Sequence, residues 1–253
     1  MMRIDILDKL AEKGDVFTIN DIVDEFDIQR NVLWVMLSRL EKRGWIKRIE
    51  RGKYVIIPLG REKNKYTVNE FLIGSLLVDP YAIAYWSALN HHGLTEQIPN
   101  TVFIETTSRK DIQEKRIMGV RYKIVRVKEH KFFGIGKTWI DYDQISITDK
   151  EKTIVDCLDK PQYCGGIVEV AKAIKSGEYD KSKLAEYSEK INNTGVIRRL
   201  GYLCDYLGVD INLPDINTRN YLYLDPTMTH KGPKNSKWML TVNLDEKILG
   251  DLE

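Results

Sequence analysis

Between residues 28 and 53 the basic side chains Arg30, Arg39, Lys42, Arg43, Lys47, Arg48, Arg51 and Lys53 are opposed only by Glu41 and Glu50. Cations gathered this densely on a short stretch suit phosphate, because each neutralised phosphate releases condensed counterions. The surplus is local. The whole chain carries a net charge of only +2, and residues 1–27 open acidic, with Arg3, Lys9 and Lys13 set against Asp5, Asp8, Glu12, Asp15, Asp21, Asp24, Glu25 and Asp27.

A second chemistry is available on paper. His91, His92 and His130, with Asp141, Asp143, Glu151 and Asp156, are the groups from which a metal-dependent nuclease would be assembled, since it needs acidic oxygens converging on a hard cation. Their spacing is not that of a nuclease: no acidic pair is followed by a lysine in the usual arrangement. We expect no catalytic residue, no metal and no cofactor. His91 and His92, followed by Gly93, read as a helix end, where imidazoles bond the last carbonyls. Gly134 and Gly136 lack the full glycine pattern of a phosphate loop and read as a tight turn before a strand. The three cysteines, Cys157, Cys164 and Cys204, are odd in number and far apart, which suits reduced thiols rather than a disulfide framework. The amino terminus has no apolar core of signal-peptide length, and no apolar run reaches membrane-spanning length, so a cytoplasmic location is expected.

The elements that must position the basic stretch are legible around it. A composition of 43% hydrophobic and 30% charged residues over 253 residues fits two globular domains and excludes wholesale disorder. Ile4, Ile6, Leu7 and Leu10 make one stripe of a first helix that Gly14 ends. Thr18 caps a second helix whose buried face is Ile19, Ile22, Val23 and Phe26. A third helix runs over 29–43, with Leu33, Met36, Leu37 and Leu40 inward and Gly44 closing its last turn. Two β-prone runs around the turn at Arg51 and Gly52, stopped by Pro58, read as a hairpin. Three helices and a basic hairpin make a winged helix-turn-helix, whose third helix enters the major groove while the wing touches backbone or minor groove.

The DNA-contacting residues expected on that plan are Gln29, Arg30, Asn31, Trp34, Ser38 and Arg39 on the helix, and Lys47, Arg48, Arg51 and Lys53 on the wing. Arg30 and Asn31 are the preferred base readers, by the pairings of arginine with guanine and asparagine with adenine. Trp34 suits a thymine methyl, a partner subunit, or burial under the wing. The competing plan is a protein-docking module whose charges are a solvated face.

The fold class expected overall is α+β: a winged helix over 1–58, a linker over 59–66 and a larger mixed α+β domain over 67–253. In that domain 68–77, capped by Thr67, and 81–91 read as helices. Residues 101–106, 120–127 and 140–147 read as strands, and 150–158, 166–175, 181–191 and 194–207 as helices. Thr148 and Glu151 have the spacing of a capping box. A short apolar run at 221–224 and a last strand at 238–244 follow. Lys172, Lys175, Arg198 and Arg199 are candidates for a surface that meets an acidic partner or RNA.

The stretch 37–54 looks like the end of helix three and the wing of many prokaryotic winged-helix regulators. With it, three segments resemble the antitoxin subunits of the AbiE abortive-infection systems: 81–94 (Tyr-Ala-Ile-Ala-Tyr-Trp-Ser-Ala-Leu-Asn-His-His-Gly-Leu), 147–158 (Ile-Thr-Asp-Lys-Glu-Lys-Thr-Ile-Val-Asp-Cys-Leu) and 198–203 (Arg-Arg-Leu-Gly-Tyr-Leu). The resemblance loosens beyond Asp210. It implies a transcriptional repressor that binds its own promoter as double-stranded DNA, with inverted repeats as the expected target of a homodimer. It also implies an antitoxin whose second domain counters a nucleotidyltransferase-like toxin. The alternative is a stand-alone transcription factor whose second domain senses a ligand or mediates oligomerisation.

Overall fold

A computed structural model of the chain describes residues 9, 14–26, 28–57, 68–140 and 143–245, with the side chains of Glu25 and Phe26 left aside. The expected first helix, the linker over 59–66, and the positions of Thr67, Pro58 and Asp141 lie outside the described residues. The fold is α+β, with a winged helix at the amino-terminal end.

That part comprises β1 (Val16–Thr18), α1 (Ile19–Phe26), α2 (Arg30–Arg43), β2 (Ile46–Glu50) and β3 (Lys53–Ile56), with the strands ordered β1-β3-β2. Thr18 caps α1 as expected: its Oγ1 accepts from Asp21 N at 3.4 Å, and the Asp21 carboxylate accepts from Thr18 N at 2.6 Å. This reciprocal pair satisfies amides that a helix start leaves open. Gly44 closes α2 at φ 73°, a left-handed conformation that costs glycine nothing. Phe17, Ile22, Leu33, Met36, Leu37, Leu40, Ile46, Tyr54 and Ile56 form the core of this part.

The remainder is built on a six-stranded mixed sheet in the order β6-β7-β5-β4-β9-β8, from β4 (Ala82–Ile83), β5 (Thr101–Thr106), β6 (Glu114–Ile117), β7 (Val120–Arg126), β8 (Ile135–Ile140) and β9 (Asp143–Thr148). Successive side chains on a strand point to opposite faces, and both faces here are covered. Ile83, Val102, Ile104, Tyr122, Ile124, Ile145 and Ile147 pack with α3 (Glu70–Ser75) on one face. Phe103, Val125 and Val127 pack on the other against a layer that includes α5 (Lys150–Asp159), α6 (Ile167–Ser176), α7 (Lys181–Lys190) and α8 (Thr194–Leu207). Ile49 and Val55, from β2 and β3, join the first of these clusters, so the wing sheet and the larger sheet share apolar surface.

Several expected elements moved. Residues 82–83 are a strand, paired antiparallel with β5 and in parallel with β9, and only Tyr85–His91 is helical, as α4. A short run buried on every side has no periodicity to tell strand from helix. Asn69 caps α3, its side chain accepting from Phe71 N at 2.9 Å. The capping box at Thr148 and Glu151 is displaced by one residue: Asp149 caps α5, accepting from Lys152 N at 2.8 Å. Thr148 ends β9 with its hydroxyl 2.8 Å from that of Thr153. Both edge strands, β6 and β8, escaped the pattern, since edge strands carry charge and lack a clean alternation. Near the carboxyl end, β10 (Leu222–Tyr223), β11 (Lys234–Asn235) and β12 (Leu240–Thr241) form a small sheet ordered β10-β12-β11.

Candidate nucleic-acid interface

Helix α2 buries Leu33, Met36, Leu37 and Leu40. With 3.6 residues per turn, the row opposite that stripe is Asn31, Val35, Ser38 and Lys42, and all four are exposed. Arg30, Trp34 and Glu41 flank the row on one side, Val32, Arg39 and Arg43 on the other. Trp34 is 38% exposed, so it is not fully covered by the wing or by any other part of the chain. Gln29, at the helix start, makes no side-chain cap and stays exposed. The Asn31 Oδ1 accepts from Val32 N at 2.8 Å, which points its amide along the first turn.

The wing continues this surface. Lys47, Arg48 and Arg51 are exposed, and Arg51 stands at the turn beside Gly52, whose φ of 77° favours glycine. The Gly52 carbonyl accepts from Ile19 N at 2.8 Å, tying the wing tip to the start of α1. The Arg48 Nε donates to Glu50 O at 3.3 Å. The Arg43 guanidinium lies 5.2 Å from the centre of the Trp45 ring, a cation–π distance.

Lys53 departs from the sequence expectation. Its ammonium lies 3.4 Å from Glu50, on the side of the wing that meets the larger domain. Lys110 and Lys115 reach the same carboxylate at 3.0 and 3.2 Å. Partial burial alone raises the Glu50 carboxyl, but the hydrogen bonds and charges of Lys110 and Lys115 outweigh it and hold the group below the ordinary glutamate range. Glu50 is therefore neutralised from outside the wing. Of the acids in 28–53 only Glu41 is left exposed among the cations.

Arg198 and Arg199 do not form a surface. Both are buried and donate to main-chain carbonyls: Arg198 to Asn220, Trp238 and Met239, Arg199 to Leu224, Leu158 and Tyr223. Five donors in a rigid fork make arginine suited to that task. Nothing in their local sequence distinguishes this use from a surface one, because the carbonyls come from segments tens of residues away. Lys172 and Lys175 do reach solvent. They border a cavity of about 470 Å³ with Thr95, Glu96 and Gln97, and Lys172 lies 3.3 Å from the buried Glu169.

The histidines weighed for nuclease chemistry include one at the end of a helix. His92 follows α4, but its Nε2 lies 2.7 Å from Thr148 O, at the end of β9, rather than on a carbonyl of its own helix, and burial lowers the pKa of both His91 and His92. A cluster that sequence reasoning missed lies between sheet and helices: Lys152 Nζ is 3.4 Å from Glu105 and hydrogen-bonded to Asp156. All three are sealed from solvent, so no substrate reaches them. Among the described residues no group of three or more histidine, cysteine or acidic side chains is placed to hold a metal, and no helix is long and apolar enough to cross a membrane.

Residues 5–57 match the family model described as "Transcriptional regulator, AbiEi antitoxin", so the amino-terminal part of the chain is similar to the domain of those regulators. No curated protein matches. Among solved structures, the RV2827C protein of Mycobacterium tuberculosis superposes with a TM-score of 0.66 at 14% identity, covering 97% of this chain and 92% of that one. At that identity the likeness is one of fold.

Proposed function

We propose that this chain is a cytoplasmic transcriptional repressor that binds its own promoter as double-stranded DNA, and the antitoxin of an AbiE-like pair whose toxin is nucleotidyltransferase-like. The observation that carries the reading is the outward face of α2, where the short Asn31, Val35 and Ser38 share a row with Lys42 and are bordered by Arg30, Arg39 and Arg43, continued by Lys47, Arg48 and Arg51. It has the form of a groove-reading helix with a backbone-touching wing, and it lies within the segment that matches the antitoxin regulators. Inverted repeats are the expected target, bound by a homodimer. The reading assigns no catalytic role.

The test is binding of the full chain to the duplex upstream of its own reading frame, against a shuffled duplex at the same salt. We expect a clear preference for the promoter. Replacing Arg30 and Asn31 by alanine should remove about 1–3 kcal/mol for each base pair read. Equal affinity for both duplexes sinks the repressor reading. Co-expression with the adjacent reading frame tests the other half: the full chain should relieve the growth defect which that frame causes.

A second reading, a stand-alone regulator with a ligand-sensing domain, draws on the cavity bordered by Lys172 and Lys175. A neighbouring frame without toxicity would favour it.

A further inference from the structure

Phosphate contact does not account for two residues of α2. Val32 and Val35 are 55% and 53% exposed, and at a spacing of three they adjoin on the helix surface. They are β-branched side chains inside a helix, which lowers helix propensity, and they share their side of the helix with Arg39, Lys42 and Arg43. A protein surface covering these valines would strip water from the surrounding cations as well. The major groove suits both kinds of group, because phosphates line its margins and thymine C5-methyl groups project from its floor. Lengths agree with this: Asn31, Val35 and Ser38 are short enough to let the helix approach the floor, while the arginines and Lys42 reach outward. Valine in a helix holds one χ1 rotamer, so little freedom is lost on contact.

We propose that Val35, with Val32 beside it, reads thymine methyl groups, so that the bound sequence carries thymine at the positions facing these side chains. The proposal rests on the DNA-binding reading above and adds the identity of bases to it.

The experiment has two steps. The full chain first selects duplexes from a randomised pool, and each thymine of the selected site is then replaced singly by deoxyuridine, which removes the methyl group alone. Affinity should fall about fourfold at each position facing a valine, the loss expected for uncovering one methyl-sized group. Val35→Ala and Val32→Ala should each bind the parent duplex about fourfold more weakly and become indifferent to uracil at their own position. Alanine is the better helix former, and circular dichroism of both variants checks that α2 persists. The proposal is overturned if uracil is tolerated everywhere, or if the uracil penalty survives in both variants. Selection of no sequence at all would remove the DNA-binding reading together with it, whereas a selected site indifferent to uracil removes this proposal alone.

Discussion

Glu50, the last residue of β2, and Lys110, which follows β5, are sixty positions apart in sequence, yet the carboxylate and the ammonium lie 3.0 Å from one another. Lys115 of β6 joins them and also donates to Ile49 O at 3.0 Å. The wing is thus fastened to the larger sheet by charge as well as by the apolar contacts of Ile49 and Val55. A fragment lacking residues 1–58 would uncover that surface, so the two functional roles are better separated by point substitutions in the full chain.

Glu50→Gln should destabilise the chain by about 1 kcal/mol at neutral pH, the upper range for a partly exposed ion pair. Because the folded-state pKa lies below the ordinary value, this contribution is present above the unfolded pKa and disappears as pH falls through the folded one. Denaturant titrations of both proteins at pH 7 and in the acid range read the difference. An undiminished gap in acid would contradict the role given to the carboxylate.

Arg51 and Lys53 are two residues apart, and their salt dependences should part company. Arg51→Gln removes one phosphate contact and should lower the slope of log affinity against log salt by about 0.9 while weakening all duplexes alike. Lys53→Gln should leave that slope where it is, since its ammonium faces Glu50. Equal changes in the two slopes would return Lys53 to the DNA side.

Local chemistry explains why so much of the winged helix could be read in advance. Thr18, Asp21, Gly44 and Gly52 act within a few residues of themselves, as caps and turns do. Helices α5 to α8 announced themselves by a period of 3.6. What escaped depends on distant partners. The strand at Ala82 and Ile83 exists because β5 and β9 flank it, and Arg198 is inside because carbonyls 22 to 41 residues away need donors. Val32 and Val35 were left off the inward stripe of Leu33, Met36, Leu37 and Leu40 by the helical period, and the structure adds how far they stand in solvent.

The buried Glu105, Lys152 and Asp156 cluster makes stability sensitive to alkali. Burial is the strongest influence on the Glu105 carboxyl, followed by the charge of Asp156, and together they push it up to about 8. A raised folded-state pKa means that its stabilising contribution is complete below the unfolded value and is lost as pH rises through the folded one. The melting temperature should therefore decline from the ordinary glutamate range upward until pH passes about 8. Glu105→Gln, which keeps a hydrogen-bonding group without the ionisation, should flatten the alkaline part of that profile. Identical profiles for the two proteins would exclude Glu105 as the source.

Arg198 joins α8 to the carboxyl-terminal segment, and its removal should be felt there first. Its guanidinium donates to the carbonyls of Asn220, Trp238 and Met239, and the Trp238 ring lies against Gly201, where a Cβ would collide with it. Arg198→Met keeps the side-chain bulk but takes the donor from the Asn220 and Trp238 carbonyls, while Met239 O keeps its bond from Leu222 N, at a cost of about 2–4 kcal/mol. Gly201→Ala should loosen the same seam by forcing the indole away, through sterics rather than lost hydrogen bonds. Limited proteolysis of either variant should cut within residues 211–245 well before it reaches α8. Cleavage that begins instead in the wing, or resistance equal to that of the parent chain, would show that the segment is held by other contacts, with the small sheet of β10, β11 and β12 the next place to look.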